Sequence, residues 1–153
     1  MIAHELFGAV AGERGQLWKP ATLKTMSDRC AVQNAERKRI WNIENAADRV
    51  CEIIGALQRP EGDPRRISVG FGVDAVANDD ATALPELIGA LAVSDGAVRS
   101  FAAYSLHRRG EAAAEAIPAL VACVRDPQSR DAYVAVHALS AMGTTASEGL
   151  AAR

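Results

Sequence analysis

"EIIGAL" at Glu52–Leu57 and "ELIGAL" at Glu86–Leu91 write almost the same six residues 34 positions apart. Apolar words recur by chance in an alanine-rich chain, so the echo decides the fold only if its flanks repeat in step. They do. "LPELIGAL" (Leu84–Leu91) precedes "IPALVACV" (Ile117–Val124) by 33 residues, with Pro85 over Pro118. "VRSFAAYSLHRRG" (Val98–Gly110) falls on "DAYVAVHALSAMG" (Asp131–Gly143), aligning Ala102 with Ala135, Leu106 with Leu139 and Gly110 with Gly143. "RISVGFGVDAVA" (Arg66–Ala77) takes the same columns, with Arg66 under Arg99 and Val73 under Leu106. Three units of about 33 residues result, at 40–77, 78–110 and 111–143, followed by a short tail.

Each unit reads as two helices. Ile40, Ile43, Ala47, Val50, Ile54 and Leu57 recur at steps of three and four, which places them on one face of a first helix. Asp63-Pro64 and Asp126-Pro127 set an N-cap carboxylate before a proline suited to a first helical turn, and "SDG" at Ser94–Gly96 holds that place in the middle unit. Gly110 and Gly143 stand where a second helix must stop. Ile53, Ile54 and Leu57 are expected to stack beside Leu87, Ile88 and Leu91, with Gly55 and Gly89 letting the backbones approach. A helical pair of this size cannot bury its own apolar face, so the units must stack on one another.

Composition agrees. Of 153 residues, 49% are hydrophobic but only 5% aromatic, a balance that favours closely packed helices over sheet and fits one all-α domain. A formal net charge of −2 gives no global attraction to phosphate backbones and argues for a neutral partner. Cys30, Cys51 and Cys123 are far apart and form no Cys-x-x-Cys pair; they read as reduced core thiols, with a metal or redox site as the rival. The opening "MIAHELFGAVAGERG" has no cationic leader and only a short apolar run broken by glycine. Neither a signal peptide nor a membrane span is expected, and a reduced cytoplasm fits.

The combination of first-helix proline, Asp-containing turn, "VRSFAAYSL" and terminal glycine resembles HEAT repeats, particularly the short bacterial kind also found in phycobilisome-lyase-like proteins. The likeness covers Ile40 to the C-terminus and is best in the middle unit. The third unit has Asp131-Ala132 where Val98-Arg99 would stand, and the first has Gly70 and Gly72 where the family prefers alanine. The resemblance implies a short α-solenoid and leaves function open, because such arrays serve many tasks. Residues 1–39 stand outside the repeat: "IAHELFGAVA" reads as a short helix, "GERGQLWKP" as a loop, and Ala21–Arg39 as a second helix. They form an N-terminal cap, with Leu23, Met26 and Cys30 covering the first unit, or an arm reaching a second subunit.

Equivalent positions of stacked units form rows. In the middle second helix Val98, Ala102, Ala103 and Leu106 should pack, leaving Ser100, Tyr104 and Arg108 along an outward stripe. Their counterparts are Ile67, Phe71 and Ala75 in the first unit and Tyr133, His137 and Ala141 in the third. The resemblance implies that second helices line the concave side, so Ile67, Phe71, Ser100, Tyr104, Arg108, Tyr133 and His137 are the candidate partner-binding row. Its rings form either a recognition groove or inter-unit core. Arg66 and Arg99 follow Asp63 and Asp95, as a ladder between turn aspartates and helix arginines or as an anion clamp. Arg99, Arg108 and Arg109 become Ala132, Ala141 and Met142 in the third unit, leaving its last helix apolar nearly all round. Tyr133, Val136, Leu139 and Met142 are therefore expected to pack against another molecule, most simply a second copy.

No catalytic constellation is expected, and no cofactor or metal. His4, His107 and His137 are not at ligand spacing, and the "HEL" at His4–Leu6, one pair outside the repeat, cannot build the iron site of the HEAT-like deoxyhypusine hydroxylases. Ser100, Ser105 and Ser140 lack a glycine-flanked nucleophile turn, while "VGFGVD" lies within a predicted helix and lacks the Lys-Ser/Thr pair of a phosphate loop. Its glycines fit close helix approach. The expected function is a non-enzymatic scaffold that binds a protein or peptide on its concave face, away from membranes. The alternatives are an accessory subunit or lyase-like protein handling a bulky ligand, and a weak nucleic-acid binder. The last requires Arg37, Lys38, Arg39, Arg65, Arg66, Arg108 and Arg109 to converge on one side.

Overall fold

A computed structural model describes residues 20–77, 81–126, 132–143 and 151, and among them the chain is all-α, with no strand. The elements are α1 (Pro20–Trp41), α2 (Ala46–Leu57), α3 (Val69–Ala75), α4 (Leu84–Ala90), α5 (Gly96–Arg109), α6 (Ile117–Arg125) and α7 (Ala132–Ala141). Short 3-10 turns at Ala81–Ala83 and Gly110–Ala116 lead into α4 and α6. The expectations for His4, for the side chain of Leu23, for Pro127 and for the tail from Thr144 to Leu150 lie outside the described residues.

Local chemistry accounts for most boundaries. Asn45 starts α2 by accepting from the Asp48 amide at 3.0 Å, and Asp95 starts α5 by accepting from Ala97 and Val98. Pro85 and Pro118 sit in the first turns of α4 and α6, where a missing N–H costs nothing. Gly110 ends α5 at φ 55°, and Gly143 follows α7 at φ 66°. Asp63 behaves differently from expectation: its carboxylate accepts from the Arg65 amide at 2.8 Å in a turn, and the cap of α3 is Ser68, which accepts from Phe71. The second helix of this unit is thereby shortened, because Arg66–Ser68 are not helical before it begins.

The helices α3, α5 and α7 pack on one another in turn, α4 packs on α2 and α5, α6 packs on α7, and α1 packs on α2 and α3. Between them lies one core, in which Val98, Phe101, Ala102 and Leu106 of α5 are all fully buried. Burial recurs at the spacing of the repeat. Ile40, Val73, Leu106 and Leu139 follow one another every 33 residues, and all four are in the core. Hydrogen bonds from Arg29 to the Gly62 carbonyl, Gln33 to Arg66 and Arg109 to Val76 each span the same 33 residues.

Helix α1 therefore continues the pattern that its sequence hides. The boundary at 39/40 falls inside this helix, and Ile40 belongs to its end instead of opening the first helix of the next unit. Its C-terminal half touches α3 and the chain leading into it through Gln33, Arg37 and Trp41, more sparsely than α3 packs on α5. The alignment misses it because charged residues interrupt its apolar columns: Glu36 stands where Ala102 and Ala135 do, and Arg39 where Ser105 and Ala138 do.

The glycines of the opening echo do not mediate close approach: a Cβ built on Gly55 or Gly89 meets nothing within 4 Å. That role belongs to Gly72, whose Cβ would lie 2.9 Å from Ile53 Cγ2 and 3.0 Å from Phe101 Cδ2. Cys30 and Cys51 are exposed and so are not core residues, while Cys123 is half-buried and packs against the core. Leu139 and Met142 are buried, which removes them from any self-association surface and leaves Tyr133 and Val136 exposed on α7.

One buried polar atom stands out. Ser105 Oγ, on a residue only 3% exposed, has no hydrogen-bond partner. An unpaired buried hydroxyl costs about 1–3 kcal/mol, and its apolar replacement avoids that cost. Ser105→Ala is expected to leave the melting temperature unchanged or raise it by roughly 2–4 °C, as read by circular dichroism. A clear fall would show that the hydroxyl is paired.

Candidate functional site

The outward stripes of successive helices meet along one face. On α1 the stripe carries Arg37, exposed Lys38 and Trp41; on α3, Gly70, Phe71 and Asp74; on α5, Tyr104, His107 and Arg108; on α7, Tyr133, Val136 and His137. Adjacent stripes touch. The Phe71 ring lies 6.3 Å from that of Trp41, and the Arg37 guanidinium sits 5.3 Å above it. Arg108 Nη1 donates to Asp74 Oδ1 at 3.0 Å, tying α5 to α3. His107 Nδ1 lies 3.0 Å from the His137 carbonyl oxygen, which places its proton on that nitrogen and ties α5 to α7.

Between α3 and α5 this face opens into a groove of about 510 Å³. Val69, Gly70 and Val73 line its α3 side, Tyr104 and His107 its α5 side, and the Asp74–Arg108 pair lies along it. Gly70 contributes through what it lacks, since no atom lies within 4 Å of where its Cβ would be. The chemistry on offer is apolar contact from two valines and a half-exposed ring, a hydroxyl, an imidazole and an ion pair whose members are both well solvated.

Of the candidate row, Tyr104 and Arg108 line this groove, Phe71 packs toward α1 instead, and Tyr133 and His137 lie exposed on α7. Ser100 is half-buried. Ile67 is a correction: it precedes the Ser68 cap and is 3% exposed within the core, so it presents nothing outward. Sequence reasoning missed Val69, Gly70 and Val73, because α3 starts later than its alignment with α5 implies. The 34-residue step from Asp74 to Arg108 is a usable signal, since opposite charges at nearly the repeat distance become neighbours.

The expected aspartate ladder takes another form. Asp63 pairs with Arg65 at 3.0 Å, and the Arg65 guanidinium holds its pKa at about 2, while Arg99 donates to the carbonyls of Val93 and Ser94. Arg49 does the same for the Ile43 carbonyl and also reaches Ala75. These arginines brace chain turns. A second cavity, of about 570 Å³ between α4 and α6, has Arg99 at its polar edge and Ile88, Leu91 and Ala122 on its walls.

Glu36 anchors the junction of α1 and α2. Nearly buried, it binds Arg39 at 3.1 Å and Arg59 at 3.2 Å, and Arg39 also reaches Glu52 at 2.6 Å. The hydrogen bond from Arg39 outweighs burial and holds the Glu36 carboxyl below its ordinary range. Lowered carboxyl pKa values contribute stability that is complete above the unfolded value and disappears as pH falls toward the folded one. The melting temperature should therefore fall between neutral pH and about pH 3, and Glu36→Gln should be less stable at pH 7 yet lose less on acidification. A parallel pH profile for the variant would remove Glu36 from this account.

Among the described residues no group of three His, Cys, Asp or Glu side chains comes together as a metal site, and no helix is long and apolar enough to cross a membrane. Comparison with known proteins finds no matching family model, no matching curated protein and no matching solved structure.

Proposed function

We propose that the chain is a short α-solenoid of HEAT-like helical pairs that acts as a non-enzymatic binding module for a protein or peptide segment. The 33-residue recurrence of buried positions and of hydrogen bonds supports the solenoid reading. The groove between α3 and α5 carries the binding reading, because it offers an apolar wall to a side chain and polar groups to a backbone. Tyr104 is the expected anchor: an exposed ring covers much area at little cost in rotamer freedom. Tyr133 and Val136 prolong the same face and would lengthen a peptide's track or meet a second copy. Of the cations that nucleic-acid binding requires, Arg39 is paired with Glu36 and Glu52, Arg65 with Asp63, and Arg108 with Asp74, which weighs against that reading.

Selection from a random peptide display library against the full chain tests this reading. A recurrent motif should emerge, and Tyr104→Ala should lose it while melting at the wild-type temperature. A library that yields no motif, or a motif indifferent to Tyr104→Ala, overturns the proposal.

A further inference from the structure

We infer that the occupant of this face is an acidic peptide segment carrying one large aliphatic side chain; the inference rests on the peptide-binding reading and names its partner class. The argument is charge against background. The chain as a whole carries a formal net charge of −2. Among the described residues, the outward stripes of α1, α3 and α5 nevertheless hold Arg37, Lys38 and Arg108, with His107 beside them, against the single carboxylate of Asp74.

The state of these cations matters as much as their number. Arg37 is stacked on Phe71, and its Nε is buried without a hydrogen-bond partner, so among the described residues a ring, and not a carboxylate, holds its charge in place. A guanidinium in that setting is partly desolvated and already oriented, which strengthens its attraction for an incoming anion. Lys38, the next residue, is exposed. At the other side of the groove the Arg108–Asp74 pair is solvated, with side chains 49% and 65% exposed, so Arg108 can exchange or share its partner at little cost.

The groove offers the apolar wall of Val69 and Val73 opposite Tyr104, with open space over Gly70, and Arg37 stacks on Phe71, the neighbour of Gly70 on α3. That space fits a leucine-sized side chain, and carboxylates on either side of it in an extended peptide would fall toward Arg108 in one direction and Arg37 and Lys38 in the other. Single-stranded nucleic acid also seeks cations interleaved with rings. It is disfavoured here because the groove wall is aliphatic, so a base would meet valines where it seeks a ring to stack on.

Fluorescence anisotropy decides the matter, using the full chain and three labelled probes: a peptide of glutamates flanking one leucine, its counterpart with lysines for glutamates, and an oligothymidine of similar length. The acidic peptide should bind about tenfold or more tighter than either other probe, with affinity falling as salt is raised. Lys38→Glu should weaken it several-fold without changing the melting temperature, and replacing the probe's leucine by glycine should weaken it as well. Equal binding of acidic and basic peptides, or tighter binding of the oligothymidine, overturns the inference. If a basic or neutral peptide binds and Tyr104→Ala abolishes it, the partner class falls while the peptide-binding reading stands. Should no peptide bind, and the display selection likewise yield none, both fall.

Discussion

Phe101→Ala should destabilise the fold by about 3–5 kcal/mol, the usual range for emptying a buried phenylalanine site. Phe101 is the largest fully buried side chain in the core. It projects from α5 to the place where α2 and α3 meet, within 3.0 Å of where a Cβ on Gly72 would be. Domains of this size have roughly 5–15 kcal/mol of stability in total, so the loss would be about a fifth of it or more. In urea the midpoint should fall while the slope m stays constant, because the variant loses packing and not compactness. Phe101→Leu should recover much of the difference. A loss below about 1 kcal/mol would mean that the three helices do not close on this ring.

The second large effect runs against helix propensity. Alanine is better than glycine inside a helix by about 1 kcal/mol, and Gly72 has an ordinary helical φ, so Gly72→Ala on propensity alone would stabilise α3. The added methyl, however, would meet Ile53 Cγ2 at 2.9 Å and the Phe101 ring at 3.0 Å, and neither neighbour has exposed space to move into. Overpacking of this kind costs roughly 1–3 kcal/mol, so the net change should be a loss. Gly55→Ala is the matched control: its Cβ meets nothing within 4 Å, and it should gain about 0.5–1 kcal/mol. Thermal melts of the two variants should therefore move in opposite directions. In a Phe101→Leu background the cost of Gly72→Ala should shrink, which a double-mutant cycle would measure. Additive effects would show that the contact is not what excludes the methyl.

These two positions illustrate how far the sequence could be read. Every second-helix glycine in "VGFGVD" is compatible with close approach, yet only Gly72 has neighbours there, while Gly70 opens a groove. Gly55 and Gly89, the most conspicuous glycines of the repeated words, face open space. Helical periodicity gives the angle at which a residue leaves its helix. It does not say which helix stands at that angle, or how near.

The candidate site shows the same division. Tyr104 and Arg108 were legible as outward positions because an apolar stripe of Val98, Ala102 and Leu106 fixes the opposite side of their helix. Ile67 was not, since the chain before Ser68 is not helical and carrying the rows of α5 onto it puts Ile67 in the wrong place. Trp41 escaped notice, and Arg37 was legible only as one of a set of basic residues, because α1 has the spacing of the repeat without its wording.

By itself the sequence determined the helical class, the 33-residue recurrence, the Asp95 cap, the proline starts of α4 and α6, and the stops at Gly110 and Gly143. All of these depend on residues close in sequence, where backbone geometry and side-chain chemistry act within one or two turns. Only the tertiary structure decided that α1 continues the register, that Phe101 and Gly72 fit against each other, that Leu139 and Met142 are covered, and that Arg108 meets Asp74 beside a groove. Those outcomes depend on distances between helices far apart in the chain, which packing sets and no local pattern encodes.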